Sequence, residues 1–134
     1  MSNRQAMNDM LTKRWNDTDS PSAGTAVSVS SGVGDAPVGT QQRHNLETLS
    51  YWIWNRTGAG GVAATVSVQV RHATPAGTVI ASFQHLVGAS TVASATFTNL
   101  MLQGKRGKAI RVTMDTVVAS LTQSVSAAGW IEDD

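Results

Sequence analysis

The 134-residue sequence contains no cysteine, which removes a disulfide scaffold, a thiolate zinc site and a cysteine nucleophile together. Charge is scarce too: Lys, Arg, Asp and Glu make up 14% of the residues, ten basic against nine acidic for a formal +1. An ordinary soluble domain carries roughly 25% charged residues. The composition therefore suits a surface partly covered by neighbours, and it argues against nucleic acid, whose binding calls for a net basic footprint. No run of 18 apolar residues occurs, and the opening Met1 to Gln5 lacks the apolar stretch of a secretion signal. Neither membrane spanning nor export is expected. One domain with an unstapled core is the expectation for this length.

Catalytic raw material is thin. His44, His72 and His85 have no acidic sequence neighbour and form no HxH, HxxxH or HExxH spacing of the kind that holds a metal. Asp35, Glu47 and Asp115 stand isolated, whereas a glycosidase needs two opposed carboxyl groups. There is no Gly-x-Ser-x-Gly elbow. The segment Gly104 to Lys108 (GKRGK) is superficially like a phosphate loop, but no Ser or Thr follows Lys108 and a strand pattern comes next. It reads as a hairpin tip whose Lys105, Arg106 and Lys108 could meet an acidic partner. No catalytic residue, metal or cofactor is expected, and the chain does not read as an enzyme. Asn16-Asp17-Thr18 and Asn55-Arg56-Thr57 match the glycosylation acceptor pattern, which is uninformative without a secretion signal.

What the sequence does contain is alternation. From Val62 to Arg71, Val62, Ala64, Val66, Val68 and Val70 alternate with Ala63, Thr65, Ser67, Gln69 and Arg71, so a pleated strand sends the two sets to opposite faces. Similar patterns recur at Leu49 to Trp54, Thr78 to Gln84, Thr91 to Phe97, Ile110 to Met114 and Val117 to Ala127, with turn signals every 8 to 12 residues. The expected fold is all-β, an antiparallel sandwich or jelly roll of seven to eight strands over residues 46–134, with Val66, Val68, Phe83, Ile110, Val112 and Leu121 in its core. The strand around Tyr51 is apolar on both sides: Leu49, Tyr51 and Ile53 share one face, Trp52 and Trp54 the other. That predicts burial on both faces, in a core or a subunit interface.

N-terminal to this domain, Ser2 and Gln5 fit a capping box, and Met7, Leu11 and Trp15 recur at i, i+4 and i+8 with Met10 beside them. The spacing predicts a short amphipathic helix over about residues 3–15 within an arm of residues 1–20, ended by Asn16, Asp17, Asp19, Ser20 and Pro21. Such a helix is marginal alone and wants a partner groove. Met7, Met10, Leu11 and Trp15 are therefore candidate partner-binding residues. Residues 21–45 read as an extended Gly/Ser-rich lead-in, with Thr25 to Ser30 as one edge-strand candidate.

A short N-terminal arm followed by strands such as Ala63 to Arg71, Pro75 to Ile80 and Ala109 to Thr113 resembles the small β-sandwich structural proteins of tailed-phage particles, in particular capsid decoration (cement) proteins and head-fibre bases. The resemblance implies a virion component, assembled in the host cytoplasm, that binds a major capsid protein or another virion protein in many copies. It further implies homo-oligomers, often trimers, and no catalytic residues. A rival reading of another class is a carbohydrate-binding or adhesin-like module that uses Tyr51, Trp52 and Trp54 as ring platforms. Burial of the two tryptophans favours the structural reading, and their exposure favours the platform.

Overall fold

The computed structural model describes residues 14–20, 23–32, 42–56, 62–72 and 77–133. Among these residues there is no helix, and nine strands form two antiparallel sheets. The strands are β1 (Arg14–Asp19), β2 (Val27–Ser30), β3 (Gln42–Asn55), β4 (Ala64–His72), β5 (Val79–Val87), β6 (Thr91–Phe97), β7 (Leu102–Gln103), β8 (Ile110–Met114) and β9 (Leu121–Asp133). One sheet has the order β1-β9-β3-β6, with the two-residue β7 pairing β3 beside β6; the other has the order β2-β8-β4-β5. The pairs are nested: β4 with β5, β3 with β6, β2 with β8 and β1 with β9, all antiparallel. A chain doubled back on itself and then rolled across two layers is the jelly-roll topology.

The core lies between the sheets and is built from the alternating apolar sets. Val66, Val68 and Val70 of β4, Ile110, Val112 and Met114 of β8, Leu49, Tyr51 and Ile53 of β3, and Leu121 and Val125 of β9 are all buried. Each large side chain of this kind contributes about 1.5 to 3 kcal/mol by leaving water. Phe83 is partly buried against this cluster, stacked on Phe97 with ring centroids 4.9 Å apart. The pattern of the last strand predicts an opening at Val117, but Val117 to Ser120 belong to the connection before β9, which starts at Leu121.

The sandwich also begins earlier than expected. Residues 14 and 15 do not end a helix; they open β1, whose six residues pair with Ser126, Trp130 and the residues between them, out to Val125. Trp15 is 7% exposed and its indole N–H donates to the Asn45 carbonyl at 2.9 Å, so this side chain belongs to the core of its own domain. The polar Asn16 to Asp19 run, read above as a helix stop, is an edge strand. Its Asp17 and Asp19 carboxylates accept the Ser30 and Ser28 amides of β2 at 3.1 and 3.0 Å, tying the open edges of the two sheets together. Helical spacing loses here because six ladder positions and an indole bond outweigh a marginal local preference. The described parts of the lead-in, 23–32 and 42–45, are likewise part of the fold: Val27 and Val29 of β2 are buried and β3 already runs from Gln42. Met7, Met10 and Leu11 lie outside the described residues.

The long strand β3 carries a bulge. Leu46 opposes Gly129 and Thr48 opposes Ala128, leaving Glu47 as the extra residue. The bulge shifts the inward set from 49, 51 and 53 to 44 and 46. Glu47 is used twice, its carbonyl accepting the Leu100 amide at 2.8 Å and its carboxylate pairing with Arg14.

Candidate functional site

Two surface features stand out, at opposite ends of β3. The first is the outer face of the β1-β9-β3-β6 sheet. Because Tyr51 and Ile53 point inward, the intervening Trp52 and Trp54 project outward, 40% and 43% exposed, about 7 Å apart along the strand. Among the described residues nothing supplies the second side of the expected two-sided burial: Trp52 lies between Ser94 and Ser124, and Trp54 between Val92 and Thr122. Val92 is 63% exposed beside Trp54, extending the apolar ridge, and the Arg56 guanidinium sits 5.4 Å from the Trp54 ring centroid. The next row, Thr18, Ser126, Ser50 and Thr96, crosses all four long strands and is entirely hydroxyl-bearing. Its members bond one another, Thr18 to Ser126 at 3.0 Å and Ser50 to Thr96 at 3.4 Å. These rows hold no ionised side chain.

Tyr51, grouped with the tryptophans from sequence, is separated from them by the sheet. It is buried, its hydroxyl is hydrogen-bonded to His85 Nε2, and its ring meets His85 edge-on at 5.3 Å and Phe97 at 6.4 Å. Burial pushes the Tyr51 phenol above its ordinary range. A ring held this way cannot serve as an outer platform.

The second feature is the basic end. The tip after β7 is bolted to both sheets: the Gly104 amide donates to the His44 carbonyl at 3.0 Å, the Lys105 amide to His72 Nε2 at 3.2 Å and the Gly107 amide to the Gln42 carbonyl at 2.8 Å. Gly104 has no room for a side chain, since a Cβ would sit 2.5 Å from the His44 carbonyl oxygen. The bond accepted by His72 Nε2 requires a neutral ring with its proton on Nδ1. Burial, and then Lys105 and Lys108, push its pKa below 6.5. Burial also lowers His44, whose Nδ1 lies 2.6 Å from Ser31 Oγ. Lys105, Arg106 and Lys108 are exposed on this tip. The two features are thus about 30 Å apart, from the ladder rise between His44 and Trp52 or Trp54.

Chemistry elsewhere is sparse. Among the described residues no three His, Cys, Asp or Glu side chains form a group that could hold a metal ion. An open cleft of about 290 Å³ on the outer face of the β2-β8-β4-β5 sheet is lined by Ser67, Gln69, Asp115 and Thr116, a single carboxylate among neutral groups. Asn55 of the second glycosylation pattern is buried, its Nδ2 donating to the Val62 and Val87 carbonyls, which removes it as an acceptor in the folded chain. None of this was legible from spacing, because the partners of each group come from strands far apart in sequence.

No family model and no curated protein matches the chain. Solved structures give distant likenesses. A pilus structure from Bacillus endospore appendages is 16% identical over 88% of this chain and 88% of that one, with a TM-score of 0.40. The empty head of turnip yellow mosaic virus is 10% identical over 90% and 79%, with a TM-score of 0.40. A CBM4 carbohydrate-binding structure is 7% identical over 90% of this chain and 61% of that one, with a TM-score of 0.36. At these scores no function passes from them to this chain.

Proposed function

We propose that the protein is a non-enzymatic structural component of a virion, a decoration protein that coats a capsid lattice in many copies and contacts its own copies through the outer face of the β1-β9-β3-β6 sheet. One observation carries this reading: Trp52, Trp54 and Val92 form an exposed apolar ridge whose own cross-strand rows hold no ionised side chain, with Arg56 at its end. Tryptophan is the residue most enriched where interfaces concentrate their energy, because it removes much area from water at little rotamer cost. The small Ser and Thr neighbours let a second flat surface approach closely. Low overall charge, the strand pattern shared with particle proteins and the nested sandwich support the same assignment, and many weak copies on a lattice add avidity without strong single contacts. Sedimentation of the purified chain tests it. Homo-oligomers, with a trimer expected, should form in the native protein and dissociate in Trp52→Ser/Trp54→Ser with the fold intact. A native chain that stays monomeric at high concentration overturns the contact.

Exposure of the two tryptophans in the single chain is the outcome named above as favouring the other reading, a platform for neutral sugar rings, with the hydroxyl rows supplying hydrogen bonds; the self-contact reading requires that a second copy cover them. Titration of the intrinsic tryptophan fluorescence with soluble neutral polysaccharides separates the two. Saturable quenching lost in the double variant supports the sugar platform, and no response leaves the protein contact.

A further inference from the structure

We propose that the basic end is a carboxylate-receiving surface, centred on Arg71 and Arg111, that docks an acidic segment of a protein partner. This deepens the attachment reading above, yet it stands on different residues. Of the ten Lys and Arg residues, Arg4 and Lys13 lie outside the described residues. Seven of the other eight gather at the tip end of the sandwich, leaving Arg56 alone at the far end. A chain with a formal charge of +1 is therefore strongly polarised along its strands.

The fold itself creates the central pair. Arg71 on β4 and Arg111 on β8 are direct cross-strand partners, both on the outward side, because Val70, His72, Ile110 and Val112 face in. Like charges directly opposed in a ladder, with Cβ atoms about 5 Å apart, repel and cost stability. A partner carboxylate set between the two forks is attracted by both. The Arg71 fork is held in place by the Gln69 side-chain oxygen, which accepts from Nη2, and Arg111 reaches Ser28 Oγ at 3.4 Å. Planar guanidinium forks positioned by neighbours suit carboxylates, which accept two parallel N–H bonds. The tip, whose Lys105 amide bonds the inward-facing His72 beside Arg71, adds the charge of Lys105 and Lys108 at the same end of the sandwich.

The arrangement favours an acidic protein segment over nucleic acid. A phosphate track needs an uninterrupted basic stripe, whereas at this end Glu47 pairs with Arg14, and Glu132 and Asp133 oppose Arg43 and Gln42. A compact pair of forks on one face, with no basic stripe continuing from it among the described residues, instead matches a short run of Asp or Glu.

The test is fluorescence anisotropy of a labelled oligo-glutamate peptide titrated with the full chain, alongside a duplex DNA of equal charge. Expected are saturable peptide binding that weakens with salt, and about a tenfold or greater loss in Arg71→Gln/Arg111→Gln, one charge-assisted bond being worth that much. Arg71→Lys, which keeps the charge but loses the fork, should fall between, and thermal melts confirm that the variants fold. No peptide binding, an undiminished Arg71→Gln/Arg111→Gln variant, or tighter binding of DNA than of peptide overturns the proposal. The assay needs neither self-association nor a particle, so its failure leaves the Trp52 and Trp54 contact standing, and the converse holds.

Discussion

The indole of Trp15 crosses directly over Gly129 to reach the Asn45 carbonyl: a Cβ built on Gly129 would lie 2.8 Å from the indole nitrogen and 1.8 Å from the Asn45 oxygen. Three strands, β1, β9 and β3, are locked at this one crossing, which depends on the absence of a side chain at position 129. Gly129→Ala should therefore abolish cooperative folding or lower stability by several kcal/mol, about the upper range for a single substitution. Trp15→Phe, which keeps most of the bulk but loses the donor, should cost about 1 to 2 kcal/mol. Urea unfolding of both variants checks the order of the two effects, and an Ala variant as stable as the native chain contradicts the crossing.

Truncation separates the arm from the fold. Removing residues 1–13 should leave a cooperatively folding sandwich, because β1 starts at Arg14. Removing residues 1–20 deletes Trp15 and the Asp17 and Asp19 contacts to β2, and should give an unstable or insoluble chain. Far-UV circular dichroism with a thermal melt of the two products decides this. A folded 21–134 fragment would mean that β1 is dispensable.

The outer face of β3 and the inner face of β4 should respond very differently to a polar substitution. Trp52→Ser, at a half-exposed position, is expected to cost about 1 to 2 kcal/mol through lost cross-strand packing and to leave a folded monomer. Val68→Asp on β4 buries an unpaired charge at a site with 0% exposure and should prevent folding. A soluble Asp variant with a cooperative melt contradicts the assignment of that face to the core.

Stability should fall on mild acidification. Burial lowers the pKa of His44, and burial together with Lys105 and Lys108 lowers that of His72, from an ordinary 6.5. Just below that pH the unfolded chain takes up protons at both sites while the native chain still excludes them, so the unfolded state is favoured as pH drops. The contribution is fully present above about pH 7.5 and is lost through and below 6.5 until the native pKa values are reached. Urea midpoints measured across this window should decline. His44→Asn/His72→Gln, in which Gln keeps an acceptor for the Lys105 amide, should flatten the decline, and an unchanged slope in that variant assigns the effect elsewhere.

Local pattern alone determined that the chain is an antiparallel sandwich with Val66, Val68, Ile110, Val112 and Leu121 inside, since alternation of period two is written residue by residue and survives any partner. It also placed β2 near Thr25 to Ser30, and the tip at Lys105 to Lys108. Tertiary structure decided what depends on distant strands. Trp15 sits at helical spacing from Leu11, yet its ladder partner is Gly129, and the neighbouring Thr18 bonds Ser126, 108 residues away. The inward set of β3 changes phase at Glu47 because a bulge needs a partner strand to be defined against. Arg71 and Arg111, forty residues apart in the chain, become neighbours only through the β4 and β8 register. Whether Trp52 and Trp54 are covered was likewise beyond local pattern, because a second layer on that face has to come from another part of the chain or from another molecule, and the described strands place none there.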